Sequence, residues 1–195
     1  MRKVALSLGL VAALFSASAC TKNGASNQSG QTPAATKAAG GKTIAAGLAA
    51  DSKFMAAAKA TGIDKTLTGP GPYTVFVPDD AAFAKLPAGT LGNTTDPAER
   101  AKFTSIVTYH ILPGTVLAAD IGKMIDTAKD HKAPLMTVGG QIFTASKEGG
   151  DLVLTDSAGN KAKITKADDQ YSNGVVHHID IVMTPPSPKG GTSAK

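Results

Sequence analysis

Up to about residue 125, apolar side chains recur mostly at helical spacing. Ile44 and Leu48 mark a short helix, and Asp51-Ser52 supply the cap of another. Phe54, Ala57, Ala58 and Ile63 continue that second helix, which the chain ends near Gly62. The rhythm then breaks at Tyr73–Phe83 (YTVFVPDDAAF), a continuous apolar run that leads straight into helix-forming residues. A run of this kind predicts a strand buried on both faces. Thr94-Thr95-Asp96-Pro97 opens a third helix, with Thr or Asp as cap and Pro in the first turn, where a missing N–H costs nothing. Its inward stripe is Phe103, Ile106, Val107 and His110. Pro113-Gly114 breaks the chain after that helix, and Leu117–Ile125 predicts one more short helix.

From Leu135 the pattern shortens to strands. Leu135–Val138 and Gln141–Ser146 flank Gly139-Gly140, which predicts a hairpin. Leu152–Thr155 and Ala162–Thr165 flank the turn Ser157–Asn160 and predict a second. Asn173-Gly174 is a turn before a last apolar run, Val175–Met183. Helices in front and strands behind imply an α+β architecture. The two continuous apolar runs lie about ninety residues apart, so a sheet that joins them is non-local.

Neither end of the chain has this patterning. Met1-Arg2-Lys3 followed by apolar Val4–Phe15 has the form of a signal peptide, 1–19, too short to span a bilayer. It closes on Ser16-Ala17-Ser18-Ala19-Cys20. Ala17-x-Ala19 suits ordinary signal peptidase, and the segment also resembles a bacterial lipobox, with Ala17 where Leu is usual. Both place the cut before Cys20, the one cysteine, so no disulfide forms within the chain. A lipid on Cys20 would hold the chain stably at a membrane. Thr21, where Asp signals inner-membrane retention in enteric-type bacteria, points to an outer-membrane or cell-surface lipoprotein; the other reading is a secreted or periplasmic protein. Residues 20–42 hold no aromatic, Val, Ile, Leu or Met, and predict a flexible tether with a reach of about 25 Å. Residues 186–195 predict a disordered tail, leaving one domain at 43–185.

Charge follows the same division. The net +5 comes from the ends, since 43–185 carries 13 Lys or Arg against 15 Asp or Glu. A mildly acidic domain is a poor nucleic-acid binder, and no nucleic-acid partner is expected. There is no G-x-S-x-G, no H-E-x-x-H and no cysteine in the domain to act as nucleophile. The paired glycines precede no helix, so they are turn residues and not phosphate loops. His177 and His178 point to opposite faces of a strand and cannot both ligate one ion. No metal, no cofactor and no catalytic residue is expected. Asp80 fits a helix cap. His110 fits a buried imidazole bonded to backbone, with a contact surface at Tyr109-His110 as the other possibility.

Three blocks together carry a resemblance. In the first, Thr74, Val75, Phe76, Pro78, Asp80, Ala82, Phe83, Leu86 and Pro87 match the opening motif of the fasciclin domain family. Tyr109-His110, with Pro113-Gly114 behind it, is similar to that family's Tyr-His motif. Asn173, Gly174, Val175, His177, Ile179, Asp180, Val182 and Pro185 match its closing motif. The resemblance implies a wedge: a two-sheet β-sandwich of about seven strands covered by several helices, with the first and last motifs on adjacent central strands. It makes Asp80, Asn173, His177 and Asp180 structural. It leaves Tyr109, His110 and His178 as candidates for binding, His178 because it replaces an apolar residue. It implies a non-enzymatic, monomeric adhesion or binding module whose partner is a protein or glycan at the cell surface, with the membrane engaged through the lipid anchor. The alternative is a periplasmic carrier of apolar small molecules, with Tyr109, Met124 or Tyr171 at its mouth.

Overall fold

The computed structural model describes residues 41–86 and 96–186. The signal peptide 1–19, Cys20, nearly all of the tether 20–42 and of the tail 186–195, Pro87, and Thr94-Thr95 lie outside the described residues. Short helices come first: α1 (Ile44–Gly47), α2 (Lys53–Thr61) and α3 (Asp64–Thr68). Ser52 caps α2 by accepting the Met55 amide, and Gly62 ends it in the left-handed conformation at φ 77°. Strand β1 (Tyr73–Pro78) runs into α4 (Asp80–Ala84). Helix α5 (Pro97–Tyr109) starts with Pro97 in its first turn, and its cap Asp96 accepts the Ala98 amide. Then come β2 (Ile111–Pro113), α6 (Ala118–Thr127), β3 (Lys132–Met136), β4 (Ile142–Glu148), β5 (Asp151–Thr155), β6 (Lys161–Tyr171) and β7 (Gly174–Ile179).

The seven strands form one mixed sheet, in the order β2-β1-β7-β6-β5-β4-β3. This corrects the two-sheet sandwich. The reason is β6, whose eleven residues serve both halves. Its start pairs with β5 (Val153 opposite Lys163), and from Ile164 it pairs with β7. Register shifts on either side of Lys166 bend the strand between its two partners. The turn after β3 then meets β2, where the Val138 amide donates to the Ile111 carbonyl at 2.7 Å. The sheet is therefore nearly closed into a barrel. The last strand also stops at Ile179, short of the expected Met183.

β1 and β7 pair in parallel, with Val75 opposite Val176, Phe76 opposite His177 and Val77 opposite His178. Both faces of this pair are covered, which is why each reads as an unbroken apolar run. Val75, Val77 and Val176 pack outward against Phe54, Phe103 and Val107 of the helices. Phe76 and Ile179 pack inward with Tyr109, Ile121, Phe143 and Leu154. That inner core is filled with side chains, and Phe76, Phe143 and Tyr109 meet edge to face in it. Among the described residues no helix is long and apolar enough to cross a membrane.

Candidate functional site

His177 and His178 lie on the central strand β7, and the other polar candidates sit at or near the ends of neighbouring elements; Tyr109, His110, Asn173 and His177 are buried. His110 caps α5 and is fully buried. Its Nδ1 donates to the Ile106 carbonyl (2.7 Å), and its Nε2 accepts the Met183 amide (3.1 Å). One partner only accepts and the other only donates, so the ring is the neutral Nδ1–H tautomer. Burial lowers its pKa to about 4, with the Ile106 carbonyl and Asp156 opposing that shift. Tyr109 beside it is also sealed in, and its hydroxyl donates to the Ile142 carbonyl (3.3 Å). Burial raises its pKa. Neither residue reaches a surface or a pocket mouth.

His177 is the inward member of the histidine pair and stacks on Phe76 at 5.2 Å. Its Nε2 donates to the Val116 carbonyl (2.9 Å), and its Nδ1 accepts the Asp168 amide (3.2 Å). Burial lowers its pKa, while the Val116 carbonyl and the nearby Asp168 and Asp169 work the other way. Asp168 is a left-handed residue at φ 62° within the irregular stretch of β6. That conformation brings its carboxylate to the start of α6, where it accepts the Ala118 amide (2.8 Å). His177 thus positions a helix cap through the backbone of another residue. The sequence does not mark Asp168 as a cap, because the helix start it serves, Ala118, lies 50 residues earlier in the chain.

Asn173 closes the β6–β7 turn. Its Oδ1 accepts the Ile44 amide (2.8 Å), and its Nδ2 donates to the carbonyls of Leu67 (2.8 Å) and Gly69 (2.9 Å). One carboxamide thus ties α1 and α3 to the sheet. Asp180 accepts the Lys163 amide (2.7 Å) and so fixes the chain leaving β7 to β6. Asp80 is a capping residue, but of another helix: Asp79 is the cap position of α4, and Asp80 accepts the Lys53 amide at the start of α2 (3.0 Å).

Asp156 is a site residue the sequence reading missed. It is buried, and it accepts the amides of Ala158 (2.9 Å), Asn160 (2.9 Å) and Thr184 (3.0 Å) as well as the Asn160 side chain (2.9 Å). The signal was the turn sequence Asp156-Ser157-Ala158-Gly159-Asn160. The contact with Thr184 could not be foreseen. Replacing Asp156 with Asn keeps the shape and removes the charge, so we expect a loss of about 1–2 kcal/mol of stability. Urea denaturation checks this, and an unchanged midpoint would remove the carboxylate from the list of anchors.

His178 is the outward member of the histidine pair. Its Nδ1 lies 3.5 Å from Asp79, and its Nε2 lies 3.3 Å from Asp169. Asp169 also pairs with Lys166 (2.7 Å), and Thr165 donates to Asp79 (3.3 Å). The two carboxylates sit on opposite sides of the ring, so they do not converge on one point. Among the described residues, no three His, Cys, Asp or Glu side chains are arranged to hold a metal ion. A shallow open depression lined by Lys166, Asp169, Gln170 and Tyr171 adjoins this cluster. The exposed polar groups here pair with one another, and the buried ones are engaged by backbone. Nowhere in this set does a nucleophile face a free base.

Comparison with known proteins agrees with the motifs. The family model described as "Fasciclin domain" matches residues 50–185. The chain is 36% identical over 143 residues to protein sll1483 of Synechocystis sp., covering 73% of this chain and 72% of that one. It is 32% identical to the immunogenic protein MPB70 of Mycobacterium bovis, over 60% of this chain and 52% of the relative. It is also 32% identical to the transforming growth factor-beta-induced protein ig-h3 of Sus scrofa, over 71% of this chain but 18% of the relative. Among solved structures, the fold resembles a FAS1 domain pair from the insect cell adhesion molecule fasciclin I. The TM-score is 0.62 at 18% identity, covering 75% of this chain and 51% of that one. The chain thus spans most of the cyanobacterial relative and about half or less of the others.

Proposed function

The chain belongs to the fasciclin domain family, and from that we propose a non-enzymatic binding or adhesion module displayed on a bacterial cell envelope. The observation that carries this reading is the use made of the polar motif residues. His110, His177, Asn173, Asp80 and Asp180 are each engaged by backbone, which leaves none of them for chemistry. Binding then falls to the outer surface, with a protein or glycan at the cell surface as partner. The filled inner core weighs against the apolar-ligand carrier, which needs a cavity in that place.

Export through 1–19 and a lipid on Cys20 complete the reading. The 22 residues of 21–42 form a tether with a reach of about 25 Å that holds the domain near its membrane. Cys20→Ser is expected to move the protein from the membrane to the soluble fraction, and unchanged fractionation rules out the anchor. Saturable binding of the purified chain to envelope or matrix proteins is the expected result for the module. Turnover of a substrate without any such binding would replace this reading with an enzymatic one.

A further inference from the structure

Among the described residues, the two longest stretches without Lys, Arg, Asp or Glu are 103–119 and 133–146. The fold brings them together. Besides the Val138–Ile111 hydrogen bond at the barrel seam, the Tyr109 hydroxyl reaches the Ile142 carbonyl. A methyl group placed on Gly139 would lie 3.2 Å from the Thr108 hydroxyl oxygen, so the β3–β4 turn rests on the last turn of α5.

Large apolar side chains remain uncovered at this junction. Met136 is 60% exposed, Ile142 49% and Val138 46%. Met136 and Ile142 are direct partners across β3 and β4, and Val138 lies in the turn that joins them. Thr108 flanks this group on the α5 side and Thr144 on β4, both uncharged. Further along the sheet the exposed positions carry ion pairs such as Lys163–Asp151 (2.7 Å). Single exposed apolar residues are ordinary, but a cluster inside a charge-free zone with a methionine at its centre has the composition of an interface core.

The same surface limits its occupant. Around Met136, Val138 and Ile142 it offers no cation to an acidic polysaccharide or to anionic lipid head groups; Lys132, on the same exposed side of β3, lies four residues from Met136 at the far end of the strand. Its nearest aromatic rings, Tyr109 and Phe143, are buried and cannot stack on a sugar. The exposed apolar area is on the order of a few hundred Å². A stable pair of proteins buries about 800 Å² on each partner, so a second copy has too little to hold. β3 is an end strand, but Pro134 lacks an N–H, so an added strand could not form a full ladder there. Docking therefore runs through side chains.

We infer that the face made by the end of α5 and the β3–β4 hairpin binds a short, uncharged, apolar segment of a partner protein. This rests on the binding-module reading and makes it specific. The test pans a phage-displayed library of random twelve-residue peptides on the immobilised full chain. The enriched peptides are expected to be apolar and free of charge. Met136→Asp and Ile142→Asp should each weaken their binding at least tenfold with the melting temperature unchanged. Met124→Asp, an exposed methionine on α6, should leave binding intact. Charged peptides, no enrichment, or binding indifferent to Met136→Asp would overturn the proposal. Dimers in sedimentation that Met136→Asp dissolves would also overturn it, by assigning the face to a second copy. Envelope or matrix binding that survives Met136→Asp refutes this face while leaving the module reading in place; absence of any such binding removes the module reading as well.

Discussion

Taking the folded domain from about pH 7.5 down to pH 4 should remove about 3 kcal/mol of stability through His110 alone. The ring titrates at about 4 when folded and at the ordinary 6.5 when unfolded. Above 6.5 it is neutral in both states, so its stabilisation is complete. Below 6.5 the unfolded chain takes up a proton that the folded chain refuses, and stability falls by about 1.4 kcal/mol per pH unit. The fall levels off near pH 4, where the folded ring protonates as well. His177 acts in the same direction, because burial also lowers its pKa. Protonating His110 requires Nε2 to become a donor facing the Met183 N–H, so the link between α5 and the segment after β7 is lost. Urea denaturation at a series of pH values measures this. In His110→Gln, the loss of stability between pH 6.5 and 4 should shrink by about one proton's worth of slope, although the variant starts less stable. An identical slope in both proteins would show that His110 is not the group responsible.

Gly174→Ala should remove more than about 4 kcal/mol of stability with a single methyl group. Gly174 opens β7 opposite Tyr73 at the head of the parallel pair, with φ at 155°. A Cβ there would overlap the Tyr73 carbonyl oxygen and crowd the rest of the Tyr73 backbone, which cannot swing aside as a side chain would. Relief requires separating β1 from β7, the two strands on which both cores are built. Gly140→Ala is the comparison: its φ is 76°, but nothing lies within 4 Å of the added methyl. It carries only the conformational cost, about 1 kcal/mol. If the two substitutions prove equally mild in urea denaturation, close backbone approach is not the reason glycine stands at 174.

The local elements were largely legible because their causes are local. Asp96-Pro97 begins α5, Gly62 ends α2, and Gly139-Gly140 turns one strand back on the next, each through contacts a few residues away. The unbroken apolar runs of β1 and β7 announced strands buried on both faces, and three motifs in order were enough for the family. What the pattern could not carry was the shape of the sheet. The second half of β6, Lys166–Tyr171, has no buried residue on either side, so it has none of the apolar rhythm that marks a strand. That half joins what looked like two sheets into one.

The same division holds for the site. Residue types at spaced positions could say that His177 and His178 face opposite ways, since side chains alternate along any strand. They could not say that His177 would hold Asp168 in a left-handed conformation, or that Asp80 would cap α2 and not its own helix. Those roles depend on partners 9 and 27 residues distant. Nor could they bring 103–119 beside 133–146. Hydrophobic rhythm and turn chemistry act over one element and were set by the order of residues. Barrel closure, cross-element caps and the uncharged face arise from pairing across the chain, where the fold chooses which distant residues meet.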